Sequence, residues 1–194
     1  DKNIKKKQIM TYTFDFILKK FFHKKRVDLL DIIVEQNCKV VVSAASESSM
    51  PESSDERITN LSKIMDISLL KGIKEEDIFI DPLIFPISVA SNYGNDALEA
   101  IKKIRNIWPK VNITGGMSNI SFGLPKRRLI NDVFIHLAIK NGANSGIINP
   151  IESKLDRIIN MDQNKNQYKI TKNMLEGNDE FCTEYLTAYR ENKL

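Results

Sequence analysis

Asp81 follows Ile78, Phe79 and Ile80, three residues of high strand propensity. A carboxylate in or at the end of a buried strand is costly unless it is paired or hydrogen-bonded. Something must receive it, and two readings stand: Asp81 caps the turn made with Pro82, or it offers its oxygens to a ligand. A denser group follows in Gly115, Gly116, Met117, Ser118, Asn119 and Ser121. Two glycines after a strand let a backbone or a ligand approach closely. An asparagine amide presents a donor and an acceptor together, which suits a heterocycle that carries both. The plainer alternative is a glycine turn with Asn119 or Ser121 capping the next element.

Other chemistries have weaker footing. The glycines do not form a GxGxxG fingerprint and no GK[ST] follows them, which argues against nucleotide phosphate binding. His136 has no His or Cys partner at metal spacing and reads as a packing or solvated residue, while His23 sits among lysines. Cys38 and Cys182 lie far apart, with neither CxxC nor Cys/His spacing, so no zinc site or disulfide framework is read and a reducing cytoplasm is expected. Spacing shows no Ser/His/Asp or Cys/His constellation.

The elements that must position these groups alternate. Leu29, Leu30, Ile32, Ile33 and Val34 suit a helix ending near Asn37. "KVVVSAA", residues 39 to 45, is a continuous apolar run of the buried parallel-strand type. After a Ser-rich loop with Pro51 and Asp55 as turn and cap signals, Ile58, Leu61, Ile64, Met65 and Ile67 fit the period of 3.6 through about Lys71. A strand over 78–86, a helix over about 95–108 and a third strand in "VNITGG" follow. A helix across "RLINDVFIHLAIKNG" stops at Gly142, with Phe134, Leu137, Ala138 and Ile147 read as core. "SGIINP" gives a fourth short strand, and "TKNMLEGNDEFCTEYLTAYR" a last, interrupted helix. Strand and helix alternating four times is the signature of an α/β fold with a parallel sheet, whose ligands gather at the carboxyl ends of the strands.

At 194 residues and 42% hydrophobic content the chain can bury one sizeable core. The net charge of +4 is uneven: residues 1 to 27 carry nine Lys or Arg against two Asp, leaving a mildly acidic body. Nucleic-acid binding needs a basic face on the folded body, so that class is disfavoured. "FDFILKKFF" is interrupted by Asp15 and Lys19, and neither a membrane span nor a clean signal segment is read.

Taken together, "EEDIFIDPLIFP", "NITGGMSNISFGLPKRRLIN" and "NGANSGIINP" resemble the pterin-binding methyltransferases, which move the N5 methyl group of methyltetrahydrofolate to the Co(I) centre of a corrinoid protein. The resemblance runs from about Leu29 to the C-terminus. The folate region of cobalamin-dependent methionine synthase shares the GG-x-SN-x-SF pattern. Dihydropteroate synthase is a more distant relative, whose Lys/Arg-rich strand end and final Arg-x-His are missing here.

That resemblance implies a (β/α)8 TIM barrel of which only the C-terminal four β/α units, a half barrel, are present. Residues 28–194 would form it, behind a basic N-terminal segment, 1–27, that is not family-like. It implies that Asp81 hydrogen-bonds the pterin and that Gly116 and Ser118 line its site. Asn119 would act catalytically at N5, and Arg127 and Ile147 would fall at ligand-contacting positions. Phe122 departs from the pattern, since a relative has glutamine there. Methyltetrahydrofolate would be the methyl donor, the corrinoid would be carried by a partner protein, and no metal would be bound by this chain. A second copy or a complementing N-terminal half is the other expected partner. The alternatives are a catalytically incomplete half-barrel that binds pterin or a partner chain without turnover, and a dihydropteroate synthase-like pterin enzyme.

Overall fold

The structure is a computed structural model and describes residues 16–18, 28–46 and 49–194, with side chains from residue 30 onward. Four strands, Phe16–Leu18 (β1), Val40–Ser43 (β2), Ile78–Asp81 (β3) and Asn112–Ile113 (β4), pair in that order as one parallel sheet. Helices Asp28–Glu35 (α1), Ser54–Leu70 (α2) and Tyr93–Ile107 (α3) connect them in turn. Arg127–Lys140 (α4), Leu155–Ile159 (α5), Asn166–Leu175 (α6) and Thr183–Arg190 (α7) follow.

The period of two along the strands decides which face is sealed. Val40 and Val42 of β2 and Ile78 and Ile80 of β3 are fully buried in one core with Leu61 and Ile64 of α2 and Ile101 and Ile104 of α3. Each such side chain contributes roughly 1.5–3 kcal/mol by leaving water. The alternate positions Val41 and Phe79 are only half buried. Because the register pairs Val41 with Phe79 and Ser43 with Asp81, the carboxylate of Asp81 belongs to that second, more open face, at its carboxyl end.

Several stops and starts fall where the sequence predicts. Asn37 (φ 52°) follows α1 and Gly142 (φ 107°) follows α4, both in the left-handed region that ends a helix. The last helix is interrupted, as α6 and α7 separated by residues 176–182. Other expectations change. The N-cap of α2 is Ser53, whose hydroxyl accepts from the Glu56 amide (3.2 Å), whereas Asp55 lies in the first turn and pairs with Lys103 (2.6 Å). The expected strand at "SGIINP" is reduced to a single bridge between Ile147 and Gly116, because chain pairing with β4 stops once Met117 turns into a 3₁₀ helix. Ile147 is not core: its side chain is 72% exposed while Phe134, Leu137 and Ala138 are buried. β1 lies within the 1–27 segment set apart above; the rest of that segment, His23 included, falls outside the described residues.

Candidate functional site

A cleft of about 350 Å³ opens where β3 and β4 end. That volume is within the lower part of the range of ~300–1,000 Å³ for small-molecule sites. One wall is the turn from Asp81 to Pro86; the other carries Gly116, Asn119 and Phe122.

The first wall is built on Asp-Pro. Pro82 restricts Asp81 to extended backbone, so Asp81 completes β3 and its carbonyl accepts from the Ala44 amide (3.0 Å). One carboxylate oxygen, Oδ1, accepts from the Leu83 amide (2.9 Å), which is the turn cap that Asp-Pro predicts. The capping carboxylate also lines the cleft, so the cap does not remove Asp81 from the site. Leu83 adopts φ 62°, a left-handed conformation that a leucine seldom takes.

Arg57 of α2 lies behind this wall and is fully buried. Its Nε donates to the Pro82 carbonyl (2.8 Å) and its Nη2 to that of Leu83 (3.3 Å), and the guanidinium lies 5.2 Å from the centre of the Phe85 ring. Burial lowers its pKa from the ordinary arginine value, against the opposing charge of Asp96. Sequence reasoning missed Arg57 because it seeks apolar residues on the buried stripe. The signal was available: stepping back from Leu61 and Ile64 by 4 and 7 residues lands on Arg57 in both cases.

The second wall begins at Gly115, where φ is +152° and a Cβ would sit 3.0 Å from Asp81 Oδ1. At Gly116 a Cβ would meet the Asn119 amide nitrogen, also at 3.0 Å. Here the glycines serve close approach, as the sequence suggests. Met117–Ser121 then forms a 3₁₀ helix that turns the exposed Asn119 toward the cleft mouth. Neither Asn119 nor Ser121 caps α4, whose N-cap position is Lys126. The Ser121 hydroxyl instead donates to the Ser118 carbonyl (3.2 Å) and accepts from Arg127 Nε (3.0 Å).

Asp81, Gly116 and Asn119 are therefore brought together, and three other expected residues are not on the cleft walls. Ser118 contributes its carbonyl to Arg127 Nη2 (3.0 Å), and Arg127 braces the 3₁₀ helix with its guanidinium 5.8 Å from the centre of the Phe122 ring. Ile147 contributes backbone, donating to Gly115 (2.9 Å) and accepting from Met117 (3.3 Å). Sequence reasoning did not place Leu83, Ile84 and Phe85 on the cleft, since a strand was expected to continue through them. His136 has a packing role: it is buried, with Nδ1 2.8 Å from the Ile158 carbonyl and its ring edge-on to Tyr168. Cys38 and Cys182 are both free. Among the described residues, no group of three or more His, Cys, Asp or Glu could hold a metal, and no helix is long and apolar enough to cross a membrane.

A strand-end cleft with one carboxylate, one amide and close glycines has the donors, acceptors and room to take a flat heterocycle. Residues 19–149 match the family of pterin binding enzymes, and the chain belongs to it; its members are TIM barrels. The chain is 26% identical over 155 residues to the methylcorrinoid:tetrahydrofolate methyltransferase of Eubacterium limosum, covering 80% of this chain and 54% of that protein. It is 30% identical over 124 residues to the methionine synthase of Mycobacterium tuberculosis, covering 60% of this chain and 10% of that protein. The chain thus spans about half the length of the first relative and a tenth of the second.

Proposed function

We propose that the cleft binds the pterin of a tetrahydrofolate and that the protein moves a methyl group between its N5 and the cobalt of a corrinoid carried by a partner protein. The observation that carries this is the convergence of Asp81 and Asn119 on one strand-end cleft, in a chain of a pterin-binding family. An ionised carboxylate accepts at several lone-pair sites, and the Asp81 carboxylate lines the cleft, where it would take the N–H edge of a pterin. Gly116 leaves room for a flat ring beside it. Asn119 would accept from protonated N5 through its amide oxygen, stabilising the form in which tetrahydrofolate leaves readily. Such positioned electrostatic help is worth about 10²–10³ in rate. When bound by the partner, the corrinoid supplies the cobalt nucleophile. The Eubacterium relative is named for transfer from methylcorrinoid to tetrahydrofolate; the same amide contact serves the reaction in either direction, with methyltetrahydrofolate as donor in the direction favoured here. Ser118, Arg127 and Ile147 serve that site through the backbone and the brace described above.

The length of the match favours one addition. Among the described residues the sheet has four strands, of which β1 lies ahead of residue 28, against eight in a full barrel; residues 28–194 together with β1 would act as a half barrel, with a second copy or a complementing half supplying the remainder. Without it the half-barrel would hold pterin and not turn over.

Calorimetric titration of the chain with methyltetrahydrofolate tests the proposal. Saturable binding is expected, weakened about tenfold in Asp81→Asn. Asn119→Ala should leave binding nearly intact and slow methyl transfer about a hundredfold in whichever assembly is active. A folded chain that does not bind the compound would sink the pterin reading. Light scattering that finds only a monomer with full turnover would remove the need for a second half.

A further inference from the structure

Arg57 is an odd residue to bury for stability. It is fully buried, none of the ion pairs among the described residues includes it, and its Nη1 has no hydrogen-bond partner. A buried cation that feels carboxylates such as Asp96 only at a distance, with none in ion-pair contact, is usually less stabilising than an apolar side chain of similar volume. What its geometry does is specific. Two of its N–H groups draw the consecutive carbonyls of Pro82 and Leu83 to one side, and its plane lies against Phe85. Between those anchors Leu83 is held at φ 62°, and that conformation aims the Leu83 amide at Asp81 Oδ1. Backbone strain of this kind persists only where the surroundings over-determine it, and it clusters at functional sites.

We propose that Arg57 is the positioning residue of the cleft: from outside the cleft it holds the Asp81–Phe85 turn in the one conformation that presents the Asp81 carboxylate to a ligand. The identity of that ligand rests on the pterin reading; the positioning does not. Arg57 acts through Asp81, so its removal should matter little once the carboxylate is gone.

The test uses the full chain, with Arg57→Lys, Asp81→Asn and the double variant. A lysine keeps the charge and loses the fork that spans two carbonyls. In Arg57→Lys the Leu83 amide should exchange with solvent about tenfold faster by NMR, while the core amides of Ile80 and Ile101 keep their rates. Methyltetrahydrofolate affinity should fall about tenfold, and by less than about twofold when Asp81 is already Asn, since residues acting as a unit are not additive. A purely structural role would instead shift all amides together and give additive losses. Unchanged Leu83 exchange, or additive losses, overturns the proposal. A wild-type chain that binds no pterin, yet shows Arg57-dependent exchange at Leu83, sinks the pterin reading and leaves the positioning role standing. If Arg57→Lys does not fold, Arg57→Gln carries the same measurement. If neither folds, Arg57 is a structural residue and the proposal fails.

Discussion

The wall from Asp81 to Pro86 and the wall from Gly116 to Phe122 both hang from the carboxyl end of a strand, and one arginine braces each. Arg57 reaches the first from within the core; Arg127 reaches the second from solvent. A charged hydrogen bond in a low-dielectric interior is strong and has no competing water, whereas an exposed one exchanges with water and is worth little. The first wall is accordingly the stiffer of the two. In the proposed function it carries the group that would have to be aimed, Asp81, while the second carries the exposed Asn119 amide, which could follow a ligand. Two links tie them: the Ile87 amide donates to the Ile120 carbonyl (3.0 Å) and the Ser88 hydroxyl to that of Phe122 (2.7 Å).

The strongest way to break this contrast is at the seam. Gly115→Ala places a methyl 3.0 Å from Asp81 Oδ1 and 3.3 Å from Ile84 Cδ1, at a backbone angle of +152° that alanine resists. A loss of about 2–3 kcal/mol in urea denaturation is expected, with pterin affinity falling alongside it. A loss below about 0.5 kcal/mol would mean that the first wall yields as readily as the second. Arg127→Ala comes next, at about 1 kcal/mol. It should loosen the 3₁₀ helix and reduce affinity only a few-fold, far less than a change at Arg57, and equal losses at the two arginines would erase the distinction between the walls. Ser88→Ala removes one exposed tie and should cost about 0.5 kcal/mol in the same denaturation experiment. A cost as large as that of Gly115→Ala would make the tie, rather than the buried brace, the source of stiffness.

How much of this was legible in the sequence differs between the same two regions. "NITGGMSN" announces a close-approach turn by residue type alone, because glycine, serine and asparagine each have a local reason to be there, and the structure builds a tight 3₁₀ helix at that place. "IFIDPLIFP" reads as a long strand, yet β3 stops at Asp81. The apolar residues after it line the cleft instead of pairing with a neighbouring strand, Ile84 buried and Leu83 and Phe85 half-buried, and strand propensity cannot distinguish those two uses of Ile84 and Phe85. The burial of Arg57 could be read from its place on the α2 stripe, but its role could not, for a related reason: that role depends on carbonyls 25 and 26 residues away in sequence. Ile147 shows the converse error, an apolar residue read as core that the structure leaves exposed while using only its backbone. Three of the singled-out residues, Asp81, Gly116 and Asn119, meet at one cleft, and the tertiary partners that hold them were not readable.

The smallest expected effect reports on the rear of the first wall. Cys182 is 2% exposed, with Sγ 4.0 Å from the carbonyl of Ile87, the residue that follows Pro86. Burial first, and then the charge of Asp179, push its thiol up to about 11. The thiolate is the reactive form, so at pH 8 only about one thousandth of Cys182 is reactive, and its alkylation by iodoacetamide should rise about tenfold for each pH unit up to roughly 11. Half-buried Cys38 serves as the internal reference and should be labelled first, as mass spectrometry of the peptides would show. Arg127→Ala should leave the Cys182 rate unchanged, because the carbonyl that thiol faces belongs to Ile87, next to the first wall. Gly115→Ala should raise it if the strain at Asp81 is passed along the first wall to Ile87. A wild-type Cys182 alkylated as fast as Cys38 at pH 8 would mean that the first wall opens at its rear, and a buried arginine could not then be what keeps it stiff.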